Sequence, residues 1–269
     1  GLDRHRRALS RYVTFVHTEG CGASGGSPGI GGANGMGDWG KCNPAEPRNR
    51  RLRASVMVEQ GSTRLLVDCS PDLRTQCLKF GIGWVDAVLF THDHADHTHG
   101  IDDLRRLFYA RESPIPVYGT SETLGSMKQR FEYAFRPKDG MYQPFITAEN
   151  VSGPFSVGEI DITPYPQLHG AVSSTGYRFG PIAYSTDMVG LPEESVECLA
   201  GIDTWIVDAL KREPHPTHAN VDMALEMIRR ISPRRGVLTH MTVELDYATL
   251  AGELPDGVEP AYDGMVLEA

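Results

Sequence analysis

Between Thr91 and Gly100 the chain carries His92, Asp93, His94, Asp96, His97 and His99, four imidazoles and two carboxylates within eight positions. Neutral imidazole and carboxylate together suit Zn, Mn or Fe, whereas Ca and Mg prefer oxygen alone. Without a cation, so many ligand-type side chains in one turn would repel one another or stay unsatisfied. His92 and His94 lie two apart, so an extended backbone sends both rings to one side. Asp96 and His97 follow where the chain turns, and they can face a second point.

The flanking segments locate this cluster. Ala87-Val88-Leu89-Phe90 is short and apolar and predicts a buried strand. Ile101, Leu104 and Phe108 share one helical face. The cluster therefore sits in a strand-to-helix turn, at the C-terminal end of a strand, where open α/β sheets place ligands. The pattern recurs. His169 follows two or three strands expected over 145–166, and Asp187 follows a hairpin expected at 174–179 and 181–186. His240 follows the expected strand 236–239. Asp68 ends a hairpin expected at 54–59 and 63–68. It can accept from a metal-bound histidine or cap the helix expected over 71–80; the first role is preferred.

The remaining expectations are a first strand at 12–17 and a glycine-rich insert at about 18–53, with ten glycines between Gly20 and Gly40. Such an insert is functional or a mobile surface loop. Within it, Asn49, Arg50, Arg51 and Arg53 form a basic cluster able to meet a phosphate, although a solvated rim suits most of these arginines. A strand at 116–119 and a helix at 121–135, with Leu124, Met127, Phe131 and Phe135 as its packing stripe, come next. A strand at 203–208, a helix at 220–231, a short helix near 246–252 and a strand pair around 259–267 complete the chain. Residues 1–269 read as one domain.

His-x-His-x-Asp-His after a strand resembles the signature of the metallo-β-lactamase superfamily. The resemblance implies an α/β fold, a four-layer αββα sandwich with a two-metal site at one edge. It assigns His92, His94 and His169 to one cation and Asp96, His97 and His240 to the other, with Asp187 bridging. Two divalent ions, Zn or Mn, would then supply a hydroxide nucleophile at neutral pH, and Asp96 belongs to the catalytic set. Aspartate rather than cysteine at 187 implies the branch that handles phosphodiesters or thioesters. The segment from Asp208 to His218, ending His215-Pro216-Thr217-His218, resembles the part of the phosphodiesterase branch that supplies a histidine near the scissile phosphate. His218 is the candidate general acid; His215 and Arg53 are further candidate substrate contacts. Leu238-Thr239-His240-Met241, with Asp246-Tyr247 downstream, also looks like that branch. Within it, the glycine loop before Asp38-Trp39-x-x-Cys42 and the Arg50-Arg51-x-Arg53 run resemble the PhnP-like phosphoribosyl cyclic phosphodiesterases. Those proteins hold a structural zinc on several cysteines in this loop. Here only Cys21 and Cys42 stand in it, a departure that argues against that zinc. His99 matches no ligand position.

The implied activity is hydrolysis of a small phosphodiester, a cyclic phosphate of a ribose or nucleotide. One alternative is a tRNA 3′-processing endonuclease. That enzyme carries a protruding basic arm, for which no insert is visible, and the net charge of −9 opposes general nucleic-acid affinity. Others are a glyoxalase II-like thioester or lactone hydrolase, which usually adds a C-terminal helical domain, and a non-catalytic metal-binding protein. The expected partner is a small phosphorylated substrate, with no membrane and no nucleic acid; a homodimer is the ordinary prior. Five cysteines, an odd number, widely spread, point to a reducing compartment and a cytoplasmic protein. No apolar run is long enough to cross a bilayer. The basic residues near Arg4 precede no apolar core of a signal peptide, and the missing initiator Met suggests a trimmed start.

Overall fold

A computed structural model describes residues 13–137, 140 and 143–269. The first half of the chain builds one sheet from β1 (Phe15–Gly20), β2 (Ser55–Gln60), β3 (Thr63–Val67), β4 (Ala87–Leu89), β5 (Ile115–Gly119) and β6 (Ile146–Asn150). Interspersed are helices α1 (Leu73–Phe80), α2 (Ala95–Thr98), α3 (Leu104–Arg111), α4 (Ser121–Arg130) and α5 (Glu132–Phe135). The second half builds another sheet from β7 (Phe155–Val157), β8 (Ile160–His169), β9 (Val172–Phe179), β10 (Ile182–Ser185), β11 (Thr204–Asp208), β12 (Arg235–Thr239) and β13 (Val258–Pro260). Its helices are α6 (Glu193–Cys198), α7 (Val221–Ile231) and α8 (Tyr247–Glu253). A last strand, β14 (Val266–Glu268), returns to the first sheet beside β1. The strand orders are β14-β1-β2-β3-β4-β5-β6 and β13-β12-β11-β10-β9-β8-β7.

The sheets are buried on both faces, which explains their nearly unbroken apolar strands. Alternation sorts β3: Leu65 and Val67 join Val58, Trp205 and Val237 in the core between the sheets, while Leu66 joins Leu73, Leu104 and Met127 beneath the outer helices. On the second sheet, Asn220 caps α7 through Met223 N at 2.9 Å. Ile228 of α7 lies so close to β12 that a Cβ at Gly236 would come within 2.8 Å of it. Two sheets flanked by helices form the expected αββα sandwich.

Several boundaries differ from expectation. The first strand continues to Gly20 because Thr18 and Gly20 still pair with β2; Tyr12, its expected first residue, lies outside the described residues. The helix expected over 121–135 breaks at Phe131, whose backbone leaves the helical region at φ −122° and ψ 40°. Helix α6 was not anticipated. The two final strands do not pair with each other; β13 extends the second sheet and β14 closes the first.

The glycine-rich insert is pinned rather than free. Arg51 is not a solvated rim residue but 2% exposed. Its guanidinium donates to Leu245 O at 2.6 Å, Thr242 O at 3.1 Å and Asn49 Oδ1 at 3.2 Å. Arg50 stacks on Trp39 at 4.8 Å. Replacing Arg51 by Met would remove three guanidinium hydrogen bonds from a buried position, so it should lower the unfolding free energy by about 2–4 kcal/mol in urea titration. A loss below about 0.5 kcal/mol would show that the insert is held some other way.

Candidate dinuclear metal centre

Parallel pairing brings the chemistry to one edge. β3 runs parallel to β4, and β10, β11 and β12 run parallel to one another, so their C-terminal ends align. Asp68 follows β3, the His92–His97 cluster follows β4, Asp187 follows β10, Asp208 ends β11 and His240 follows β12. His169 comes from the β8–β9 hairpin. The turn after the cluster packs closely on the loop after β3: a Cβ at Gly100 would lie 2.0 Å from Ser70 O. Asp68, Asp187 and His240 all have left-handed backbones, with φ of 63°, 53° and 58°. Such conformations are strained for these residues and gather at functional sites.

Two sets of ligand-type atoms meet at Asp187. His92, His94, His169 and Asp187 form one, and Asp96, His97, Asp187 and His240 the other, each with its atoms within 4.8 Å of one another. Asp187 Oδ1 faces His92 Nε2 at 3.7 Å and His169 Nε2 at 3.9 Å. Its Oδ2 faces His97 Nε2 at 3.0 Å and His240 Nε2 at 3.3 Å. His94 turns Nδ1 inward, 3.4 Å from His169 Nε2. The Nε2 atoms of His92, His97 and His240 are buried without a hydrogen-bond partner among the described residues. Orphaned nitrogens converging from two sides on one carboxylate fit a pair of divalent cations. All seven residues expected as ligands are therefore brought together.

On three of the histidines the other ring nitrogen is anchored. His97 Nδ1 meets Asp68 Oδ2 at 2.7 Å, His92 Nδ1 meets Thr91 Oγ1 at 2.9 Å, and His169 Nδ1 meets Thr217 O at 2.8 Å. These contacts fix ring orientation and leave Nε2 for a cation. Asp68 also accepts from Thr91 N at 2.9 Å and Oγ1 at 2.8 Å. It does not cap α1, whose N-cap is Asp72.

The electrostatics record a site that wants positive charge. Burial opposes ionisation of Asp187, yet His240, His97 and His92 hold its carboxyl well below the ordinary range. Against the same burial, Asp187 and Asp68 hold the His97 imidazole well above its usual value, and Asp187 and Asp96 raise His240 to about 9. Burial, aided by His97, pushes His92 the other way. A cation held here would take the place of protons on His97 and His240, so its uptake should strengthen as pH rises.

A cavity of about 350 Å³ opens on this cluster, walled by Ser24, Ala171, Val172, Thr217 and His218 as well as by the ligands. His218 points its Nε2 toward Asp187, 3.8 Å from Oδ1, while its Nδ1 meets Asp208 Oδ2 at 2.8 Å. His215 stands behind it, ring to ring at 5.2 Å, outside the cavity wall. Arg53 is the residue whose expected place changes. Its guanidinium is held by Asp72 Oδ1 at 3.0 Å and Ser24 O at 3.0 Å, and it supports the wall without lining it. His99 is exposed and packs on Phe131. Cys21 Sγ lies 3.5 Å from Asp263 and Cys42 Sγ 3.4 Å from Leu245 O.

Three contributors escaped the sequence reading. Asp208 is fully buried and accepts from Met188 N at 2.9 Å besides His218; its Oδ1 lies 3.7 Å from His240 Nδ1. Its signal was available, since it ends an apolar strand as Asp68 and Asp187 do. Thr217 acts through its backbone carbonyl and Ser24 through its place in the wall, and neither residue type announces such a role.

The description "Beta-lactamase superfamily domain" matches residues 63–241. The chain belongs to the metallo-β-lactamase superfamily of hydrolases, within its PhnP-like group. A solved structure of a diphosphatase from the PhnP family superposes with a TM-score of 0.88 at 34% identity, covering 96% of this chain and 97% of that one. An octanoyltransferase of Porphyromonas gingivalis is 34% identical over 232 residues, 83% of this chain but 46% of that protein. This chain thus spans about half of that relative. A ribonuclease Z of Haloarcula marismortui is 26% identical over 287 residues, 84% of this chain and 91% of that protein.

Asp68→Ala should weaken cation binding about 10- to 100-fold, read as metal content after dialysis against buffered Zn or Mn. Undiminished affinity would show that His97 needs no such support.

Proposed function

We propose that the chain hydrolyses a small phosphodiester, a cyclic phosphate of a ribose or nucleotide, with two divalent cations, Zn or Mn, as cofactors. The observation that supports this best is the Asp208–His218 pair facing the two-sided ligand cluster across one cavity. Two cations held by His92, His94 and His169 and by Asp96, His97 and His240, with Asp187 facing both sets, would supply an activated water and offset charge on the phosphoryl oxygens. Asp187 sets the spacing of the two half-sites through its two oxygens. Asp208 accepts from His218 Nδ1 and so directs Nε2 into the cavity, where it can protonate the leaving oxygen. Thr217 O holds His169, so the segment that carries the acid also orients a ligand.

A thioester needs no such acid for its leaving thiolate, which favours a phosphodiester. The likeness to a PhnP-family diphosphatase supports a small substrate. The ribonuclease Z likeness supports a second reading, tRNA 3′-end processing; the net charge of −9 weighs against it. The core shared by the two sheets supports treating the chain as one domain. Five free cysteines fit a reducing, cytoplasmic setting. Among the described residues no helix is long and apolar enough to cross a membrane.

His218→Gln should cut kcat about 100- to 10,000-fold with metal content intact, and Asp208→Asn should lower it by a smaller factor. Full activity in His218→Gln would remove the general acid from the scheme. A panel of ribose 1,2-cyclic phosphate, a chromogenic phosphodiester and a precursor tRNA decides between the readings. Turnover of the small phosphodiesters is expected, lost on chelation and restored by Zn or Mn, whereas cleavage of the tRNA alone would reverse the ranking.

A further inference from the structure

A second cavity of about 240 Å³ lies on the outer face of the first sheet and shares no wall residue with the metal cluster. Its walls include His17, Glu19, Met57, Glu59, Arg64, Phe80 and Val266. Its charges are matched except one. Glu59 takes His17 at 3.1 Å and the Arg64 guanidinium as well. Asp263 accepts from Leu52 N at 2.8 Å and Cys21 N at 3.2 Å, with Lys79 Nζ at 3.8 Å. Glu19 is 1% exposed, and its Oε2 is buried with no hydrogen-bond partner among the described residues. A buried carboxylate without a partner is costly, and here it borders an open cavity.

We propose that this cavity binds a small organic cation, an alkylammonium or alkylguanidinium, whose charged end pairs with Glu19 while its aliphatic arm lies against Met57, Phe80 and Val266. A metal ion fits less well. Among the described residues, the groups that gather metal-type ligand atoms all lie in the catalytic cluster, and Glu19 joins none of them. The walls are half apolar, which suits a methylene chain and not a hydrated ion. Burial, then Asp263 and Glu59, push the Glu19 carboxyl up to about 8, with Lys79 opposing. The ligand must therefore compete with a proton, and binding tightens as pH rises through that value.

Isothermal titration with agmatine, with putrescine and with magnesium chloride as separate probes tests this on the full chain. Saturable binding of agmatine or putrescine is expected at about pH 8.5, weakening toward pH 6. Glu19→Gln should weaken it about tenfold or more, the loss of one charge-assisted hydrogen bond. Val266→Trp, which fills the cavity and keeps the carboxylate, should also weaken it. Both variants should hydrolyse a chromogenic phosphodiester at the parent rate, which reports an intact fold. The proposal fails if neither amine binds at about 10 mM, if Glu19→Gln binds an amine as tightly as the parent chain, or if magnesium binding is the one that Glu19→Gln weakens.

Discussion

The site depends on one carboxylate. Asp187 is buried, ionised and approached on both oxygens by four imidazole nitrogens from three strand ends. A negative charge so placed is stable only among cations, whether protons on His97 and His240 or metal ions in their stead. The left-handed backbone at Asp187 shows that the chain is bent to present it.

Everything around it serves orientation. Each sheet supplies parallel strands ending at the same edge, so ligands from His92 to His240 converge although 148 positions separate them. The packed core between the sheets fixes the spacing of the two halves. Carboxylates and carbonyls behind the histidines choose which nitrogen faces inward. Arg51 ties the glycine-rich insert to the loop after His240, and Ala23 N donates to Met241 O at 3.1 Å. The insert thereby becomes part of the cavity wall instead of a loose cover.

Much of this was legible in the sequence because the governing rules are local. The His92–His97 cluster follows from two-residue spacing on an extended backbone and the onset of a helix. His169, Asp187 and His240 each stand at an apolar strand's end, a pattern with a structural cause. What escaped depends on distant partners. An arginine run reads as solvated until carbonyls 191 and 194 positions away are known to meet Arg51. Asp208 looks like any acid ending a strand until His218 folds back on it. Arg53 carries a phosphate-seeking charge that Asp72 already engages. β14 joins the first sheet through a closure that no short window contains.

Anomalous diffraction from crystals grown with Zn or Mn tests the central point most directly. Two peaks should flank Asp187, one among His92, His94 and His169 and one among Asp96, His97 and His240, each about 2.0–2.2 Å from one of its oxygens. A single peak, or peaks that do not touch Asp187, would contradict the paired site on which the chemistry rests.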